Sequence, residues 1–170
     1  MKEEIVNKVA QSKLITFDLE TIYPPGKRLT LDIAQWLDQG FILREKPFRE
    51  SLQNHDWHQY EDSYVAVYCS TDAIVPAWAF MLVTSKLTDI AKRVVSGTLE
   101  MLETILFSEL ITDLDLAPYK GLPVIIKGCS EKPVPENAYI LLTQRLQTVA
   151  RSLMFGEACS SVPLFKKKKV

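Results

Sequence analysis

Two kinds of apolar spacing alternate along this chain, and the places where one gives way to the other mark its elements. Lys13 to Glu20, KLITFDLE, alternates as a strand does and is closed by the turn residues Tyr23-Pro24-Pro25-Gly26. Ile33, Trp36 and Leu37 then fall at helical spacing, with Thr30 or Asp32 as a cap and Gly40 as a stop. Pro47 suits the first turn of a further helix, and Phe48, Leu52 and His55 share its apolar face. Ser63 to Tyr68 reads as a strand ending at Cys69. From Pro76 a stripe through Phe80, Val83, Leu87, Ile90, Val94 and Val95 predicts a long helix stopped by Gly97. A second helix is expected from Thr98 through Leu114, followed by a buried strand at Val124-Ile125-Ile126. Pro135 opens the last helix, with Leu142, Leu146, Val149 and Leu153 on one face and Gly156 as terminator.

Strands separated by helices predict an α/β fold, a single-domain layered structure with a mixed sheet and strand-Cys-loop-helix units. The order β-α-α-β-α between Ser63 and Phe155 would let the two cysteine-bearing strands be parallel neighbours. The corners YVAVYCSTDAIVPAWAF and PVIIKGCSEKPVPENAYILL resemble one another as a local repeat, although the segments around them do not visibly match.

Composition narrows the setting. With 170 residues and 47% hydrophobic content, one substantial core is affordable, so residues 1–165 are expected to form a single domain and residues 166–170 a lysine-rich tail. A net charge of -1 gives no field that would gather nucleic acid or an anionic membrane. The start of the chain lacks the apolar core of a secretory signal, and the run Ile74 to Val83 is too short to span a bilayer. A soluble cytoplasmic protein follows as the expectation, and a reducing compartment would keep its 3 cysteines as thiols.

Those cysteines carry the candidate chemistry. Cys69, Cys129 and Cys159 stand outside the apolar stripes, each followed by serine, with proline close by. If their strands are parallel, Cys69 and Cys129 lie at carboxyl ends, the edge where open α/β sheets bind ligands. Cys159 follows a helix that should return antiparallel, which would leave it at the opposite edge unless the chain loops back. Three thiolates and an imidazole suit zinc, and thiolates with an open position suit an iron-sulfur cluster. The serine hydroxyls and N–H groups could support metal-bound sulfur. His55 in NHDWHQY is the preferred fourth ligand, His58 the alternative, and Asp56 a group that could orient the ring. Against this stand the high burial of cysteine in ordinary cores and the lack of paired CxxC spacing.

Other readings use the same residues. A nucleophilic cysteine would pair Cys69 with His55 or His58, or would be activated by Lys127 and Lys132 near Cys129, making the protein a thiol enzyme. Asp18 and Glu20 are candidates for acid/base work at a strand end. A non-catalytic interaction module, including a homo-oligomer, would use Tyr60, Tyr64, Tyr68, Trp78 and Phe80, though packing is the commoner role of such aromatics.

The segments NHDW, YCSTDAIVPAWA, IIKGCSEKPVPENAY and FGEACSSVPLFK together resemble a bacterial domain-of-unknown-function family, the one numbered 2480, over nearly the whole chain. That resemblance implies no catalytic residues. It does imply a genomic neighbourhood of sulfur mobilisation, and so an accessory role in iron-sulfur assembly or sulfur handling, with iron-sulfur assembly proteins as partners.

Overall fold

The structure, a computed structural model, describes residues 13–128 and 131–168. It has the expected α/β character, with helices and mixed strands, and divides into two compact units. Unit 2 is the continuous stretch Pro24–Ile105, and unit 1 is assembled from Met1–Tyr23 and Leu106–Val170.

In unit 2, β2 (Arg28–Asp32), β3 (Tyr64–Tyr68) and β4 (Arg93–Ser96) form a parallel sheet in that order. In unit 1, β1 (Ile15–Asp18), β5 (Pro123–Lys127) and β6 (Ser152–Glu157) are parallel, and β7 (Ser160–Lys166) closes the sheet antiparallel to β6. The described residues also form four α-helices: α1 (Glu45–Asn54), α2 (Ala77–Leu87), α3 (Leu99–Thr112) and α4 (Glu136–Gln147). The unit boundary falls within the length of α3. Among the described residues, no helix is long and apolar enough to cross a membrane.

The resemblance of the two cysteine corners extends far beyond them. Laid without a gap on residues 104–156, residues 45–97 bring Phe48 onto Phe107, Tyr60 onto Tyr119, Pro76 onto Pro135 and Leu87 onto Leu146. The elements coincide. Strands β3 and β5 share one burial pattern and start their pairing with β4 and β6 at equivalent residues, Tyr64↔Arg93 and Pro123↔Ser152. Pro76 and Pro135, at ψ 148° and 146°, break the preceding loop and cap α2 and α4. Both helices bury an i, i+4, i+8 stripe: Ala79, Val83 and Leu87 in one, Ala138, Leu142 and Leu146 in the other. Even the turns agree. Asp56 and Asp115 each accept the N–H two residues on, and Asp62 and Gly121 both have positive φ, 53° and 71°.

The first strands complete the repeat. LTLDI at Leu29 to Ile33 matches ITFDL at Ile15 to Leu19, and in each the strand-ending aspartate accepts an N–H of the 3-10 turn that follows. The two cores are correspondingly alike, with Phe17, Leu19, Phe107 and Ile111 in unit 1 taking the places of Leu31, Ile33, Phe48 and Leu52 in unit 2.

Three expectations change. The stripe from Phe80 to Val95 is not one helix. Helix α2 ends at Leu87, a turn through Ala91 follows, and Arg93–Ser96 is a strand. Likewise α4 ends at Gln147, and Leu153, expected on its face, belongs to β6. As a result the cysteine-bearing strands β3 and β5 are not neighbours. Each pairs with the strand that follows its own helix, in a separate sheet.

Candidate functional site

Each unit presents the carboxyl ends of three parallel strands, and the two edges have diverged. In unit 2, Asp32 ends β2, and its Oδ1 accepts N–H bonds from Ala34 at 2.9 Å and from Ser70, in the loop after β3, at 3.0 Å. Burial pushes the Asp32 carboxyl up. Hydrogen bonds from the Ser70 side chain and from the Ala34 and Ser70 N–H groups outweigh that and hold it below the usual value. Cys69 is half-buried against the core, with Sγ 3.4 Å from Thr71 Oγ1. The Thr71 hydroxyl proton is directed to Gly40 O at 2.8 Å, so the Cys69 thiol is the donor to Thr71. This edge is internally satisfied.

In unit 1 the loop is tied differently. Asp18 accepts the Glu20 N–H at 3.0 Å, and Glu20 Oε1 takes over the loop, accepting from the N–H groups of Glu131 at 3.2 Å and Lys132 at 3.4 Å. This frees Asp18 Oδ2 to meet Lys127 Nζ at 3.4 Å, while Glu157 Oε1 lies 3.5 Å from the same ammonium. Tyr68 is the counterpart of Lys127 in unit 2, so the charge belongs to unit 1 alone. Glu157 first, then Asp18, raise the Lys127 pKa and keep it cationic. Gly128 follows, packed so closely on the Tyr139 hydroxyl that a Cβ there would collide with it.

Cys129 lies outside the described residues. Its place in the chain is two residues beyond Lys127, the last residue of β5. Cys159 is exposed at the tip of the β6–β7 hairpin, two residues beyond Glu157. The apparent conflict over Cys159 disappears, because β6 carries the chain back, parallel to β5, to the edge that β5 also reaches. The repeat also shows that Cys69 and Cys129 are not equivalent. Gly128 stands opposite Cys69, and Cys129 opposite Ser70.

His55 sits at the end of α1 in a cluster of rings, 5.1 Å from Trp36, 4.8 Å from Trp57 and 5.8 Å from Tyr60. Its Nε2 accepts from the Gln59 amide at 3.2 Å and lies 3.3 Å from the Tyr60 hydroxyl. Burial lowers its pKa, with Asp56 opposing. In unit 1 the matching position is Leu114, so the imidazole occupies a place that the fold fills with a packing residue. Asp56 holds the N–H of His58, which is exposed, at 3.0 Å. Tyr60 is buried, and Tyr64 lies under the Arg28 guanidinium at 4.7 Å, so neither forms a free aromatic face. Among the described residues no three of histidine, cysteine, aspartate and glutamate are grouped as metal ligands. Asp18 and Glu20, weighed above as candidates for acid/base work, divide the work of binding Lys127 and the loop. Sequence reasoning did not assign Lys127 and Glu157 to one site, since strand β6 that joins them was read as helix.

A family model described as "Protein of unknown function (DUF2480)" matches residues 3–167. No curated protein and no solved structure matches the chain.

Proposed function

We propose that this chain, which belongs to the DUF2480 family, is an accessory factor for iron-sulfur assembly or sulfur handling. In this reading it binds a soft metal or cluster through Cys129 and Cys159 at the open edge of unit 1. The observation that supports the reading is the Lys127–Glu157 pair at 3.5 Å, which links the ends of the two strands from which those cysteines follow. A second support is the contrast between the repeats. The unit 2 edge uses its aspartate and its Cys69 thiol in internal hydrogen bonds, whereas unit 1 carries an ammonium and two carboxylates at the same place.

Thiolates select zinc and iron-sulfur clusters over hard cations. Two thiolates are half of a tetrahedral set. Sulfide, a carboxylate or a partner's ligands would complete it, which suits a carrier or assembly factor better than a closed structural ion.

The test is metal and acid-labile sulfide analysis of protein purified and reconstituted without oxygen. Cys129→Ser and Cys159→Ser are each expected to abolish stoichiometric loading, and Cys69→Ser to retain it. Equal loading of all three variants, or none in the wild type after reconstitution, overturns the reading.

A further inference from the structure

Unit 1 carries an apolar face that is only partly matched in its sister unit. Between α4 and the β6–β7 hairpin runs a groove of about 640 Å³, with Tyr139 and Ile140 on one wall and Phe155 and Leu164 on the other. Phe155 and its cross-strand partner Val162 are 42% and 58% exposed, Ile140 57% and Leu164 49%. Elsewhere in the described residues of this unit, Leu110 is the other exposed large hydrophobic. In unit 2, Ser96 takes the place of Phe155 and nothing corresponds to β7. The repeated core is therefore complete without Phe155, Val162 and Leu164, which the hairpin adds beside Ile140, whose counterpart Met81 is also exposed in unit 2.

The outer edge of β7 is poorly suited to adding another strand. Pro163 lacks a donor, Leu164 is the extra residue of a bulge opposite Leu153 and Met154, and Lys166 ends the strand. The face, rather than the edge, is what a partner would cover. Its two ends have opposite charge. At one end lie Glu136, at the start of α4, and Glu157, beside the hairpin turn and paired with Lys127. At the other, Lys166 pairs with Ser152, and the Lys167 N–H donates to Arg151 O at 2.9 Å, with Lys168 following.

A surface that is acidic at one end, basic at the other and apolar between complements a copy of itself turned through a two-fold axis. In an isologous contact every acidic–basic match is made twice. We propose that this face is the contact between two copies of the chain, with Ile140, Phe155, Val162 and Leu164 at its centre and Glu136 of each copy facing the lysine end of the other. The inference stands apart from the thiol reading and survives its failure.

The experiment is sedimentation velocity of the full chain from about 1 to about 100 µM, with circular dichroism to confirm folding. The wild type is expected to dimerise reversibly, and more weakly as salt rises. Ile140→Asp and Leu164→Asp, both at exposed positions, should each weaken dimerisation at least about tenfold. Glu136→Lys or Lys166→Glu alone should weaken it, and the two together should restore it, which only contact with a second copy explains. A wild type that stays monomeric over the whole range overturns the proposal. So does a dimer unmoved by Ile140→Asp and Leu164→Asp, and so does a charge pair whose effects merely add.

Discussion

Arg28 donates from Nε to Glu103 Oε1 at 2.7 Å, and the two side chains are only 12% and 7% exposed. The same guanidinium donates to Pro24 O and Gly26 O, both at 2.7 Å, so it ties the start of β2 to α3 inside unit 2. Removing the carboxylate takes a counter-charge away from a nearly buried cation. Glu103→Ala is expected to cost about 3–5 kcal/mol in urea unfolding, and Glu103→Gln, which keeps an acceptor, distinctly less. Equal stability of Glu103→Ala and the wild type would show the pair to be dispensable.

Gly128 is needed for lack of space. Its Cα faces the Tyr139 hydroxyl, so Gly128→Ala must displace the ring or the strand end and should cost about 1–3 kcal/mol. Tyr139→Phe removes the colliding oxygen but leaves the ring carbon a Cβ would meet at 2.8 Å. The double variant should therefore recover part of the loss, as thermal unfolding of the four proteins would show.

The repeat predicts matched core energetics. Leu87 and Leu146 are the last residues of equivalent helix stripes, and both are fully buried. Leu87→Ala and Leu146→Ala should each cost about 2–5 kcal/mol. A loss at only one of them would mean that the two cores, alike in composition, differ in how far they collapse around a cavity.

Burial lowers the His55 pKa from 6.5, so the folded protein favours the neutral ring. Above that value both folded and unfolded chains hold it neutral. As pH falls below it, the unfolded chain takes up a proton that the folded ring resists, and stability is lost until the folded pKa is passed. His55→Gln should flatten this loss between neutral and mildly acidic pH. Parallel profiles for variant and wild type in melting experiments would remove His55 from the account.

Cys159 is exposed at a hairpin tip, whereas Cys69 is half-buried with its thiol proton engaged by Thr71. Labelling with a disulfide reagent should modify Cys159 at least about tenfold faster than Cys69. Comparison of Cys69→Ser with Cys159→Ser, each also carrying Cys129→Ser, measures the difference directly. Comparable rates would place Cys69 in a conformation more open than the one described.

Strand β3, helix α1 and the two Pro-initiated helices could be read from the sequence because their signals are local. Tyr64–Tyr68 alternates, Pro47 sits in a first turn, and Pro76 and Pro135 break the chain where they stand. Strands β4 and β6 could not be read in the same way. Val94, Val95 and Leu153 happen to continue the helical spacing of the preceding stripe, and a short apolar run has no period of its own to contradict it. The signal lies in the other copy. TDIAKR and QTVARS turn the chain at equivalent points, and Gly97 and Gly156, at φ 134° and 111°, leave both strands in a conformation that favours glycine. Missing β6 concealed the candidate site as well, since only that strand brings Glu157 beside Lys127 and returns Cys159 to the edge of β5.

The interruption of unit 1 by unit 2 orders events during synthesis. All strands of unit 2 have been made once Ser96 is added, and its pairings link segments of one continuous stretch. Strand β1 is made before any strand of unit 2, yet its partner lies at Pro123–Lys127, so Ile15 must wait for Val124. During that interval the newborn chain carries an apolar strand with no sheet to join, a vulnerability that a ribosome-bound chaperone would meet. A circularly permuted gene that begins at Pro24 and joins the two parts of unit 1 end to end would remove the wait, and would reveal how much of the refolding time that one long-range pairing consumes.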